Sequence, residues 1–251
     1  MNSFLDQCVI VTGAATGIGE ACAIQLAHKG ATVVIMDFNR QGAEDVAKKI
    51  QAFGGKALVA VTDLNSWEDT KSKIDEIADS ETGIHALIHS AGGFPNYVNL
   101  LDCSIEAWDA VVNSNLRSMF YLLKAVAPHM MKNQYGRFVS VSSMAARSGT
   151  NPNPPHYTAA KGGMLALTRQ AAKDLGPYGI TVNAVAPANV TTPRTNAIRT
   201  AERVAHIQKT TPLGRLAEAD EIAHAIVFLA SLEASYITGI TMDVNGGATM
   251  I

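Results

Sequence analysis

A chain of 251 residues, 47% hydrophobic and 17% charged, can bury a large core, and open α/β sheets of this length commonly form one domain. A formal net charge of −2 with no basic block excludes the electrostatic footprint of a nucleic-acid binder.

The first elements read off "CVIVTGAATGIGEACAIQLAHKGATVVIMD" as strand, glycine turn, helix and strand. A helix over about 40–53 follows, then a strand in "KALVAVTD", a helix from about Ser66, and a strand in "GIHALIHSAGG". The second half predicts long helices over about 104–131 and 156–176, separated by the strand "GRFVSVSS". The strand "ITVNAVAP" comes next, then a polar segment from Thr191 to Thr211, a helix from about Glu218 and a last strand in "GITMDVNGG". Each strand is a nearly unbroken apolar run, as a sheet covered by helices on both faces requires. Repeated βα units therefore predict a Rossmann-type doubly wound α/β fold with a parallel seven-stranded sheet. With no internal repeat and no linker-like tract, residues 1–251 read as a single domain. Cys8 and Cys22 lie in apolar stretches and read as small core residues, and with Cys103 they make no metal or redox spacing. No metal site is expected at His85 and His89, which have no carboxylate or cysteine companion. The absence of a basic-then-apolar leader and of any bilayer-length apolar run predicts a cytoplasmic protein with no membrane partner.

"TGAATGIG" stands directly after the first strand and before a helix. Gly13, Gly17 and Gly19 let the backbone turn sharply and approach a pyrophosphate, while Thr16 and Ile18 lie where unpaired helix N–H groups point at it. The second strand ends at Asp37, where a carboxylate can accept from the adenosine ribose hydroxyls and would repel a 2′-phosphate. NAD is accordingly the expected cofactor, with Asp63 and Leu64 at the end of the third strand beside the adenine.

Tyr157 and Lys161 are four residues apart on a predicted helix and share a face; the small residues around them, Gly162 and Gly163 included, permit close approach. A phenol titrates near ~10, and a positive charge about 4 Å away at an effective dielectric near 20 is worth roughly 4 kcal/mol, about three pKa units. That predicts a phenol acidified toward neutrality, with burial opposing both charges.

With the TGxxxGxG turn, Tyr157-Thr-Ala-Ala-Lys161 resembles the short-chain dehydrogenase/reductase family in its compact form, over essentially the whole chain. The resemblance implies Tyr157 as proton donor and acceptor, and Lys161 as the group that lowers its pKa and binds the nicotinamide ribose. It further implies Ser143 as the serine holding the substrate oxygen, with Ser142 beside it a near-miss, and Asn115 as the anchor of a proton-carrying water chain. Pro187, Val190 and Thr192 are implied to lie by the nicotinamide carboxamide, and Ser90, Ala91 and Gly92 to contact the cofactor through the backbone. The chain departs from the family where His89-Ser90 replaces Asn-Asn, Ala188 replaces glycine and Asn245 replaces aspartate. The first change removes the side chains that usually brace the neighbouring strand.

The expected activity is hydride transfer between NAD(H) and a secondary alcohol or ketone: a polyol, a sugar-derived compound, a cyclic diol or a small keto compound. The alternatives are an NADPH-dependent 3-oxoacyl-carrier-type reductase, which Asp37 counts against, and a non-catalytic dinucleotide-binding protein. Phe94, Asn96, Ala145, Arg147, Asn153, Ala188, Asn189 and Arg194 are the candidates for the substrate pocket, drawn from segments that follow strand ends. The arginines admit an anionic or polyhydroxylated substrate and equally a surface salt bridge. A homotetramer is implied by the resemblance, and the apolar end "ATMI" agrees with burial at an interface.

Overall fold

The computed structural model describes residues 3–80, 83–148 and 153–250. The first half runs β1 (Cys8–Thr12), α1 (Gly17–His28), β2 (Thr32–Asp37), α2 (Arg40–Ala52), β3 (Lys56–Val61), α3 (Trp67–Ser80) and β4 (Ala86–His89). The second half begins with α4 (Ile105–Val112), a π-helical turn (Asn113–Arg117), α5 (Ser118–Lys132), β5 (Gly136–Val141), α6 (Pro155–Leu175) and β6 (Ile180–Pro187). It closes with β7 (Val190–Thr191), α7 (Pro193–Ile198), α8 (Ala201–Thr210), β8 (Ala217–Glu218), α9 (Ala219–Leu229) and β9 (Thr241–Val244).

Seven strands form one parallel sheet in the order β3-β2-β1-β4-β5-β6-β9, the Rossmann-type arrangement expected. Alternation across each strand sorts its side chains between two cores. Val9, Val11, Val33, Ile35 and Ile88 pack beneath α1, α2 and α9. Cys8, Ile10, Val34, Met36 and Leu87 pack beneath α3, α5 and α6. Complete burial of one such side chain, Ile10 for example, contributes about 1.5–3 kcal/mol. The edge strand β3 is the exception to two-sided cover, with Leu58 and Val59 exposed. Among the described residues no helix is long and apolar enough to cross a membrane.

Two elements differ from the sequence reading. The long helix expected over 104–131 is interrupted by the π turn, where the N–H of Ser118 bonds back to the carbonyl of Asn113. The polar segment after Thr191 folds into α7 and α8, because Thr192 and Thr200 cap the N–H groups of Thr195 and Arg203. Of the Pro/Asn loop read over 146–156, residues 149–152 lie outside the described residues, as does Ile251 of the apolar end.

The strand order reverses between β1 and β4, and the crevice beyond their carboxyl ends is where such sheets receive ligands. Every site residue named from the sequence belongs to an element or loop at that end of the sheet, save Asn115, which the π turn delivers to it.

Candidate active site

The glycine turn is set by a close approach of two backbones. Gly13 has φ +62°, and a Cβ there would sit 2.7 Å from both N and Cα of Ala91, beyond β4. Only glycine accepts both constraints. Thr16 caps α1 without a side-chain bond, so the N–H groups of its first turn stay directed outward, with Gly17, Ile18 and Gly19 leading the helix. The methyl of Thr192 lies against this turn, 3.3 Å from where a Cβ on Gly17 would be.

Asp37 is buried, and its two oxygens are each tied to the backbone: Oδ2 accepts from Ala15 N at 3.0 Å and Oδ1 from Asn39 N at 2.9 Å. The carboxylate therefore orients the glycine turn and holds a fixed negative charge beside it. Arg40 points away, exposed and 3.8 Å from Glu44. Asp63 is exposed and folds its carboxylate onto Asn65 N at 2.9 Å, with Leu64 packed against the core.

His89 supplies the bracing that the departure from Asn-Asn had put in question. Its Nδ1 lies 3.0 Å from Thr12 Oγ1, and its Nε2 3.3 Å from the Asn115 carbonyl and 3.3 Å from Ser118 Oγ. A carbonyl can only accept, so Nε2 carries the proton and Nδ1 accepts from Thr12, whose oxygen accepts from Ala91 N at 3.3 Å. Burial holds the imidazole neutral, its pKa pushed down to about 3, with the charge of Lys161 adding to the effect. β1, β4 and the π turn are thus joined by one chain of bonds. Asn115 extends it: its amide donates to Gly93 O at 2.9 Å and its Oδ1 accepts from Gly93 N at 2.9 Å. A third bond, to Val111 O at 2.8 Å, ties the side chain to its own helix.

α6 seats tightly on the π turn, since a Cβ on Gly163 would come 2.6 Å from Leu116 Cδ2. Tyr157, Lys161 and Ser143 meet here. The phenol hydrogen-bonds Ser143, and the Lys161 ammonium lies 5.6 Å from the Tyr157 ring centroid. Ser142 faces the other way, donating to Lys161 O at 3.0 Å, which separates the structural serine from the one in the cleft. The acidified phenol expected from Tyr157 is not what this geometry produces. Burial dominates and pushes its pKa up, against the pull of Ser143 and of the Arg194 charge. Lys161 is pulled down to about 7, first by burial and then by Arg194, and it donates to Val141 O at 2.7 Å. Desolvation is the largest influence on both groups.

Phe94 and Arg194 cover the pair. The Phe94 ring packs edge-on to Tyr157 at 4.7 Å, and Arg194 Nη1 donates to Gly92 O at 2.7 Å, across the face of Gly93. Of the other candidates, Ala145, Asn153, Ala188 and Asn189 line a pocket that reaches Ser143, whereas Asn96 is exposed outside it. Arg147 is spent on Asp243, with Nη2 to Oδ2 at 3.0 Å and Nε to Oδ1 at 2.9 Å, so the salt-bridge reading of that residue holds. Tyr97, Arg203 and Thr249 also line the pocket and were not found from the sequence. Arg203 lay in a segment whose apolar period was too thin to fix a helix face. Ala188 replaces glycine without positive φ, and Asn245 pins the closing turn through Gly247 N at 2.8 Å and Thr249 O at 2.7 Å.

Fold and site together define a dinucleotide-binding α/β oxidoreductase. A family profile described as "Enoyl-(Acyl carrier protein) reductase" matches residues 13–249. The chain is 38% identical over 250 residues to a 3-oxoacyl-[acyl-carrier-protein] reductase FabG of Escherichia coli (strain K12), covering 99% of this chain and all of that protein. The Thermotoga maritima protein of the same name is 34% identical over 238 residues, 95% of this chain and 96% of the relative. Among solved structures, a 3-oxoacyl-[acyl-carrier protein] reductase with bound NAD from Brucella melitensis superimposes with a TM-score of 0.92 at 31% identity, covering 100% of this chain and 94% of the other. The chain belongs to the short-chain dehydrogenase/reductase family.

Proposed function

We propose that this protein interconverts a ketone and a secondary alcohol with NAD(H), and that the ketone is of the 3-oxoacyl kind. The observation that carries the reading is the bonded Ser143–Tyr157 pair beside Lys161, at the carboxyl end of a sheet whose glycine turn is fixed by Asp37. The names of the relatives favour a 3-oxoacyl ketone over a polyol or cyclic diol. The Asp37 carboxylate favours NAD(H) over NADP(H), and a relative whose structure holds NAD agrees with that preference.

The residues present fit a dinucleotide: the Gly13 approach leaves room for a pyrophosphate, the first turn of α1 offers N–H donors, and Asp37 keeps lone pairs for ribose hydroxyls. Bound there, with Ser90, Ala91, Gly92, Pro187, Val190 and Thr192 around its nicotinamide end, the dinucleotide would supply the hydride. Ser143 holds the substrate oxygen, Tyr157 gives it a proton in reduction and removes one in oxidation, and Lys161 offsets the charge this leaves on the phenol. Asn115 keeps the Gly93 backbone, and so the cleft wall, in place.

The test is NADH oxidation with a 3-oxobutanoyl thioester, run beside NADPH, with binding of each coenzyme read by fluorescence. Tighter NADH binding and turnover are expected; a tenfold preference for NADPH would overturn the cofactor reading. Absence of turnover across 3-oxo thioesters, 3-oxo acids and simple ketones, despite NADH binding, would restore the non-catalytic alternative. For assembly we propose a homotetramer, supported by exposed Ile105, Trp108 and Phe120 on adjoining helices; a monomer mass in light scattering would refute it.

A further inference from the structure

Arg194 lies across the groove that the coenzyme has to enter. Its root is fixed: Thr192 caps the start of α7, Thr195 Oγ1 bonds back to Val190 O at 2.8 Å, and the Thr192 methyl rests against the turn at Gly17. Its tip is on the other side, where Nη1 donates to Gly92 O at 2.7 Å. Gly92 follows Ala91, the residue pressed against Gly13. The guanidinium takes the space that a side chain on Gly93 would fill, since a Cβ there would overlap Nη1 and Cζ. Asn115 holds the same Gly93 backbone through its N and O. Glycine at 93 and the clasp on its backbone make a defined seat, and the arginine in it stays exposed to solvent.

Three other cations at this end of the sheet are committed elsewhere. Arg40 faces Glu44, Arg147 pairs with Asp243, and Lys161 is buried with its ammonium on Val141 O. Arg194 is bonded to a neutral carbonyl, and among the described residues no carboxylate lies within ion-pair distance of it. Its charge is felt across the cleft: after burial, it is the second influence lowering the pKa of Lys161. Asp37, bonded to Ala15 within the glycine turn, sets a negative charge beside the same groove. A dinucleotide adds two more on its diphosphate, and the N–H groups of α1 meet them without a full charge. A guanidinium presents paired planar donors that match a phosphate, and a charge-assisted bond of that kind is stronger than one to a carbonyl. The side chain runs from beside Gly17 to Gly92, so it spans the groove at the glycine turn.

We propose that Arg194 is a clamp for the coenzyme: on binding, its guanidinium exchanges the Gly92 carbonyl for the diphosphate and closes α7 over the groove. The proposal rests on the dinucleotide reading above and deepens it, because it assigns to the coenzyme a residue first read as part of the substrate pocket.

Coenzyme fragments test this without turnover. NADH is followed by its fluorescence, ADP-ribose by calorimetry and adenosine by ligand-observed NMR, with wild type, Arg194→Met and Arg194→Lys. Each is measured at low salt and at about 1 M salt, where the screening length falls to about 3 Å. In Arg194→Met, NADH and ADP-ribose should bind about tenfold or more weakly at low salt, the scale of one charge-assisted hydrogen bond, with adenosine unchanged. High salt should shrink that difference, and Arg194→Lys should keep part of the affinity. Equal or tighter ADP-ribose binding by Arg194→Met would overturn the clamp and make the guanidinium a bar that the coenzyme displaces. A loss shared equally by adenosine would overturn it too, since the variant would then have disturbed the whole groove. Turnover of 3-oxo substrates is read separately. Arg194-dependent NADH binding without turnover would leave the clamp standing and sink the ketone reading; a wild type that binds neither NADH nor ADP-ribose would sink both.

Discussion

The two ends of the cleft are built differently. The cofactor end is mostly backbone: Gly13 against Ala91, the N–H groups of α1, Asp37 tied to Ala15 and Asn39, and Asn115 clasping Gly93. The substrate end is mostly side chains on short elements, with Arg194 on α7 bonded to Gly92 O, Arg199 between α7 and α8 bonded to Val190 O, and Arg203 on α8 lining the pocket. Backbone geometry tolerates few substitutions, whereas a side-chain surface changes one residue at a time. A fold can therefore keep one coenzyme site while its substrate pocket changes.

Substitutions at each end sharpen the contrast. Tyr157→Phe, where the ends meet, should cost about 10²–10⁴ in turnover with NADH binding preserved, the usual range for a lost general acid–base; retained turnover would mean another group moves the proton. Gly13→Val places a branched side chain at φ +62° against the Ala91 backbone. It should cost about 1–3 kcal/mol in strain and abolish measurable NADH binding, seen in denaturant midpoints and coenzyme titration. Asp37→Ser should shift the NADH/NADPH binding ratio about ten- to a hundredfold toward NADPH, since it removes the charge that opposes a 2′-phosphate.

His89→Asn tests the bracing. The folded-state pKa of His89 lies near 3, below the 6.5 of the free side chain, so the unfolded chain binds the extra proton first. Its contribution is complete above pH 6.5 and is lost as pH falls toward 3, amounting to about 2 kcal/mol at pH 5. Urea midpoints at pH 7 and pH 5 should therefore draw together in His89→Asn; an unchanged difference would show that the acid sensitivity comes from elsewhere. The smallest effect is expected at Arg147→Ala, about 1 kcal/mol of stability with no change in KM, because that guanidinium serves Asp243.

The fold was legible because β1, β2, β4, β5 and β6 are nearly unbroken apolar runs separated by helical periods. The candidate proton-transfer residues were legible because Tyr157 and Lys161 repeat a helical period. What the sequence hid was context. The pKa directions of Tyr157 and Lys161 depend on burial under Phe94 and beside Arg194, which spacing does not encode. The π turn at Asn113–Arg117 leaves no compositional mark, yet it lets Asn115 reach Gly93. α7 and α8 were announced only by their capping threonines, so Arg203 could not be assigned a direction.

The relay from Ala91 N–H through the Thr12 hydroxyl and the His89 ring to the Asn115 carbonyl has a sense of travel, each member giving its proton to the next. Reversing one dipole would set two donors or two acceptors face to face. The loop that receives the coenzyme and the kink beneath the Tyr157 helix are consequently geared together: Thr12→Val and Ser118→Ala should show energetic coupling in a double-mutant cycle, though neither side chain faces the cleft's contents.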